Sequence, residues 1–140
     1  MSGEIVASNE LLLERAQKWR DLFNAAGVGL WLFRNDLSPQ PAHKLGNFTE
    51  SAFPGYGRVA MLNKWQPVFK VKDGEYQFSS SDITFTPYAP STELCYGWYI
   101  VSANKLQLSA RLPFPVLMTL GQKLTVRVDC QTWATSVLCL

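Results

Sequence analysis

A chain of 140 residues, 47% hydrophobic and 17% charged, fits one domain with a single core, because two domains would each be too small to bury one. Thirteen Lys and Arg stand against eleven Asp and Glu, a formal charge of +2 scattered along the chain, which argues against nucleic-acid affinity built on a basic stripe. No run approaches the ~18 apolar residues of a membrane-spanning helix. Met1 to Ile5 lacks the basic and apolar regions of a leader, so a soluble, non-secreted product with no membrane partner is expected.

Ser8 or Asn9 is placed to cap a helix in which Leu12, Ala16, Trp19 and Phe23 recur at helical spacing, and Gly27 supplies a left-handed stop. Glu14 and Lys18 form a favourable i,i+4 pair on its wet side. The chain thus divides into an N-terminal helical arm, residues 1–27, and a β domain, residues 28–140. Leu12, Ala16, Trp19 and Phe23 are the arm's docking face, for its own domain or for a neighbouring subunit.

Val28 to Phe33 is a continuous apolar run of strand length, ended by the turn chemistry of Asn35, Asp36 and Pro39. From Ser38 to Gly57 prolines and glycines interrupt any period, which predicts a long, partly ordered connection that is either functional or covered by a partner. Arg58 to Asn63 follows. Val68 to Val71 and Tyr76 to Phe78 flank Asp73-Gly74, the strongest hairpin signal in the sequence. Ile83 to Thr86 alternates and stops at Pro87, and Leu94 to Val101 with Leu106 to Leu112 form a second hairpin. Leu124, Val126 and Val128 alternate with polar neighbours, and Trp133 to Leu140 continues the sheet. The pattern predicts a mainly β fold: an antiparallel β-sandwich or jelly-roll-like domain of seven to eight strands with one N-terminal amphipathic α-helix.

Chemistry-bearing residues are sparse. Cys95, Cys130 and Cys139 form no C-x-x-C pair and are read as buried, reduced thiols; neither a disulfide framework nor a metal site is expected. The one histidine, His43, lies in a Pro-rich stretch without a nucleophile beside it. Among the acids only Glu50 and Glu93 lie in segments that approach a cleft, which leaves a carboxylate hydrolase as a distant third reading. No phosphate loop is present, and neither an enzyme nor a cofactor is expected.

Aromatics say more. Eighteen residues are Phe, Trp or Tyr, too many for all to be central. Phe48, Phe53, Tyr56 and Trp65 lie in or near the long connection and are candidate partner contacts, against the alternatives of local packing or sugar stacking. Val137, Leu138 and Leu140 make the carboxyl end apolar, so it is either a last core strand or tucked into a neighbour.

Leu32-Phe33-Arg34-Asn35-Asp36, Pro39, Asn47-Phe48-Thr49-Glu50, Phe53 and Gly55-Tyr56, with the later Tyr96-Gly97, resemble small all-β structural proteins of tailed bacteriophages. That pattern covers about a quarter of the chain and excludes the helix and the tail. The resemblance implies a virion protein, made in the host cytoplasm and placed on the capsid surface. There it would be a decoration or cement protein binding the major capsid protein and further copies of itself, a trimer suiting quasi-threefold positions. The alternative is a tail, connector or host-recognition module using the loop aromatics.

Overall fold

The computed structural model describes residues 7–132 and 137–139. Helix α1 spans Asn9–Phe23, its N-terminus capped by Ser8, whose hydroxyl accepts from the Leu11 amide at 3.2 Å. The helix stops at Phe23, where the Asn24 amide closes on the Arg20 carbonyl, before the positive φ of 84° at Gly27. Among the described residues ten strands follow: β1 Val28–Phe33, β2 Val59–Ala60, β3 Phe69–Lys72, β4 Glu75–Ser79, β5 Ile83–Phe85, β6 Leu94–Ser102, β7 Lys105–Leu117, β8 Leu124–Val126, β9 Asp129–Thr132 and β10 Val137–Cys139. Every pairing is antiparallel, giving two four-stranded sheets ordered β2-β1-β6-β7 and β10-β9-β4-β3, and a β5-β8 pair. The expected class holds: mainly β, antiparallel, with one N-terminal helix, and compatible with a β-sandwich.

The strands outnumber the seven to eight expected in part because alternation hides a change of partner, which adds one. Leu124 to Val128 reads as one strand, yet β8 pairs with β5, whereas β9 pairs with β4. At the junction Val128 and Ser80 exchange bonds: the Val128 amide donates to Ser80 Oγ at 2.9 Å and the Ser80 amide to the Val128 carbonyl at 2.8 Å.

The chain groups into two compact units. One holds the chain up to Ala25, Leu62–Ser81, and the chain from Arg127 on. In it α1 lies on its own chain's β4 and β9. Leu12 and Ala16 pack with Tyr76, and the Phe23 ring sits 6.0 Å from Trp65 and 6.5 Å from Phe78. The helix is pinned at both ends. Asn9 bonds Asp73 and the Gly74 amide in the β3–β4 turn, while Arg20 donates to the carbonyls of Gln66 and Trp65 at 2.7 and 3.0 Å.

The other unit, Ala26–Met61 and Asp82–Val126, is built on β1 and β6. Phe33, Phe48, Tyr99 and Val101 form its aromatic core. Gly97 is a strand glycine for a steric reason: a Cβ there would run into the Ala110 carbonyl and the Phe33 ring. The β6–β7 turn places Ala103 and Asn104 at positive φ, 51° and 60°, the two-residue geometry whose twist matches a hairpin.

Candidate functional site

The long connection after β1 is ordered by its own polar residues. Asn35 clamps it from both sides, accepting from the Thr49 amide at 2.9 Å and donating to the Asn47 carbonyl at 3.0 Å. The Arg34 amide bonds the Thr49 carbonyl and the Ser51 amide the Leu32 carbonyl, both at 2.8 Å, so the segment runs along the end of β1 as a short extra pairing. These bonds carry Phe48 inward, where its ring stacks on Tyr99 at 4.8 Å and meets Phe33 edge-on at 5.1 Å. Further on, Gly55 adopts φ 98°, and a Cβ there would lie 2.6 Å from the Thr86 carbonyl, so only glycine suits this backbone approach.

Glu50 is the hub of the charged cluster. Arg58 binds it bidentately, both nitrogens at 2.9 Å, and the Tyr56 hydroxyl donates to it at 2.6 Å while accepting from the Leu32 amide at 3.3 Å. The guanidinium also lies 3.6 Å over the centre of the Trp31 ring, and Trp31 meets Tyr99 edge-on at 5.4 Å. The Arg58 fork holds the Glu50 carboxyl below its usual range, with the Tyr56 hydroxyl acting in the same sense against partial burial. Burial, and then the bond to Glu50, pushes the Tyr56 phenol above its usual range. Beside the cluster lies an open groove of about 550 Å³ lined by residues that include Gly29, Trp31, Arg58, Ala60, Val101 and Asn104.

Glu93, the other candidate acid, accepts the amides of Ala52 and Phe53 at 3.0 to 3.2 Å. Both acids therefore hold loop or backbone in place. Among the described residues no group of three or more His, Cys, Asp or Glu is arranged to hold a metal ion. No helix among them is long and apolar enough to cross a membrane.

The expected partner-facing aromatics are redistributed. Phe48, Phe53 and Trp65 are buried, at 7%, 3% and 5% exposure, which corrects their assignment to an outer surface. The cause lies in bonds to residues distant along the chain: the Asn35 clamp turns Phe48 in, Glu93 draws down the backbone at Phe53, and Trp65 donates its indole N–H to the Phe23 carbonyl at 3.1 Å. Tyr56 is half-buried by its bond to Glu50. On the helix, Leu12, Ala16 and Phe23 are buried, and Trp19 keeps 39% exposure. Val137 and Leu138 lie in β10, paired with Thr132 and Gln131, and Leu140 lies outside the described residues. The reduced-thiol expectation fails for Cys130, which is disulfide-bonded. Cys95 is a free, buried thiol that burial pushes up to about 11.

The most exposed large apolar side chain among the described residues, Phe114 at 79%, is hidden in the sequence by a strand that stops at Leu112. In the register Gly97 faces Arg111 and Cys95 faces Val116, so Tyr96 alone opposes the residues from Leu112 to Pro115. Pro113 and Pro115 have no amide to give a ladder, and β7 bulges there with Phe114 on the outside. The Pro-Phe-Pro triplet is the signal that could have found it. Compared with protein-family models, curated proteins and solved structures, the chain matches none of them.

Proposed function

We propose that the chain is a structural protein of a tailed-bacteriophage virion that decorates the capsid, binding the major capsid protein and copies of itself. One observation carries this reading: the residues of the phage-like pattern interlock as scaffold. Phe33 packs on Phe48, Asn35 ties Asn47 and Thr49, Glu50 joins Tyr56, and Gly55 closes on Thr86. A pattern whose members build a rigid β framework, with both candidate acids spent on holding loops, suits a protein that works by contact rather than by turnover. The host-recognition alternative loses its sugar platform, since Phe48, Phe53 and Trp65 are inside.

Purified virions of the encoding phage provide the test, by quantitative mass spectrometry and cryo-electron microscopy. Copies in a simple ratio to the major capsid protein, with density on the outer shell, are expected. A handful per particle would move the chain to the tail or connector, and absence from the particle would overturn the virion reading.

A further inference from the structure

The bulge of β7 is the most exposed apolar feature of the described residues. Phe114 is 79% exposed, Leu117 45% and Leu94 36%, the last two being register partners; Leu120, in the turn that follows, is 59% exposed. They gather at the open end of the β6–β7 hairpin. Together they leave on the order of 400 Å² of apolar side chain in water, as large as the largest patch on a typical monomer.

The segments that carry this patch are themselves uncharged, the nearest guanidinium described being that of Arg111, 5.3 Å from the centre of the Tyr96 ring. From Leu112 to Gln122, and again from Leu94 to Asn104, the sequence has no ionisable acid or base apart from Cys95, Tyr96 and Tyr99. The nearest charged neighbours in sequence are committed elsewhere: Glu93 holds the amides of Ala52 and Phe53, and Arg111 pairs with Asp36 at 2.6 Å. A charged patch repels its own copy across a two-fold axis, whereas a neutral apolar one is self-complementary. The size fits as well. A standard interface buries roughly 800 Å² per partner, and about 57% of it is apolar, close to what these four side chains supply. The two prolines deny the bulge a ladder, so association here proceeds by side-chain packing and not by sheet extension.

We propose that this patch is a homodimer interface, with Phe114 as its anchor, closing on the same patch of a second copy about a two-fold axis. The proposal rests on the self-association part of the proposed function and deepens it, whereas binding to the major capsid protein can fail without it.

Sedimentation equilibrium of the full chain between ~1 and ~200 μM, with Phe114→Asp and Leu120→Glu beside it, decides the matter. The wild type is expected at twice 15.8 kDa, and each variant at the monomer mass, with a dissociation constant raised by at least ~30-fold, as for an interface hot spot. Both positions are exposed, so far-UV circular dichroism should match the wild type, and Tm should match it when both are compared at a concentration that leaves the wild type monomeric. A wild type that remains monomeric at the highest concentration overturns the proposal. So does a dimer that survives both substitutions, which places the interface elsewhere. A trimer overturns the two-fold packing, and binding to capsid shells by a strictly monomeric chain assigns the patch to another protein.

Discussion

Replacing Phe48 with alanine separates a packing residue from a partner contact. The ring is 7% exposed, stacked on Tyr99 at 4.8 Å and edge-on to Phe33 at 5.1 Å, with Val101 completing the cluster. Its removal opens a cavity between two rings that are themselves fixed by β1 and β6, which leaves little room for collapse. The expected cost is that of a buried Phe→Ala change, about 3 to 5 kcal/mol, or a Tm lowered by roughly 10 to 15 °C in a domain of this size. Urea unfolding followed by tryptophan fluorescence and by far-UV circular dichroism measures it, as a lower midpoint at unchanged slope. Phe114→Ala, at 79% exposure, is the control and should stay within about 0.5 kcal/mol of wild type when both are compared at a concentration that leaves them monomeric. A Phe48→Ala protein as stable as that control would refute the inward placement of the loop.

Three further outcomes follow from particular contacts. Gly97→Ala forces a Cβ against the Ala110 carbonyl and the Phe33 ring, and should cost about 1 to 3 kcal/mol by the same unfolding assay, against almost nothing for Gly46→Ala, where the space is open. Because Arg58 holds Glu50 below its ordinary value of 4.5, the stabilisation is complete above that value and is lost as the pH falls through the folded-state value. Tm measured from pH 7 down to pH 2 should therefore fall less steeply below pH ~4.5 in Glu50→Gln than in the wild type, and parallel curves would remove Glu50 as the cause. Cys95, fully buried and raised to about 11, should resist a thiol reagent at neutral pH and react on unfolding; rapid labelling of the native protein at this residue would contradict its burial.

Local signals were legible wherever a short window contains the whole cause. Asp73-Gly74 gives the β3–β4 turn, with Gly74 at φ 82°, and the apolar run Val28 to Phe33 is β1 residue for residue. Ser8 caps the helix as its position before the periodic residues implies. What the sequence concealed depends on partners far along the chain. Phe48 points inward because Asn35 seizes the backbone on both sides of it, and nothing within the connection announces that bond. Trp65 is buried through an indole bond to a helix carbonyl 42 residues away. Alternation through Val128 continued unbroken across a change of partner strand, since period two reports which face is wet and not which neighbour is paired.

The distribution of these residues also bears on where the specificity of the proposed association would reside. Every side chain of the phage-like pattern with a resolved role spends its contacts internally: Phe33 and Phe48 in the core, Asn35 on the connection, Glu50 on Arg58 and Tyr56, Phe53 beneath the Glu93-held loop. Such residues transmit a framework and carry no information about what the framework touches. The outward apolar residues, Phe114 and Leu120 on one unit and Trp19 and Leu22 on the other, lie outside the pattern. Substitutions in the two groups should therefore separate cleanly when Tm and association are read on the same proteins. Pattern residues should lower Tm and association together, because a distorted framework presents nothing. Exposed residues should alter association while leaving Tm unchanged at concentrations where every protein is monomeric. A pattern variant such as Asn35→Ala that kept its Tm but lost association would mean that the pattern itself contacts the partner, and the division between scaffold and surface would fail at that residue.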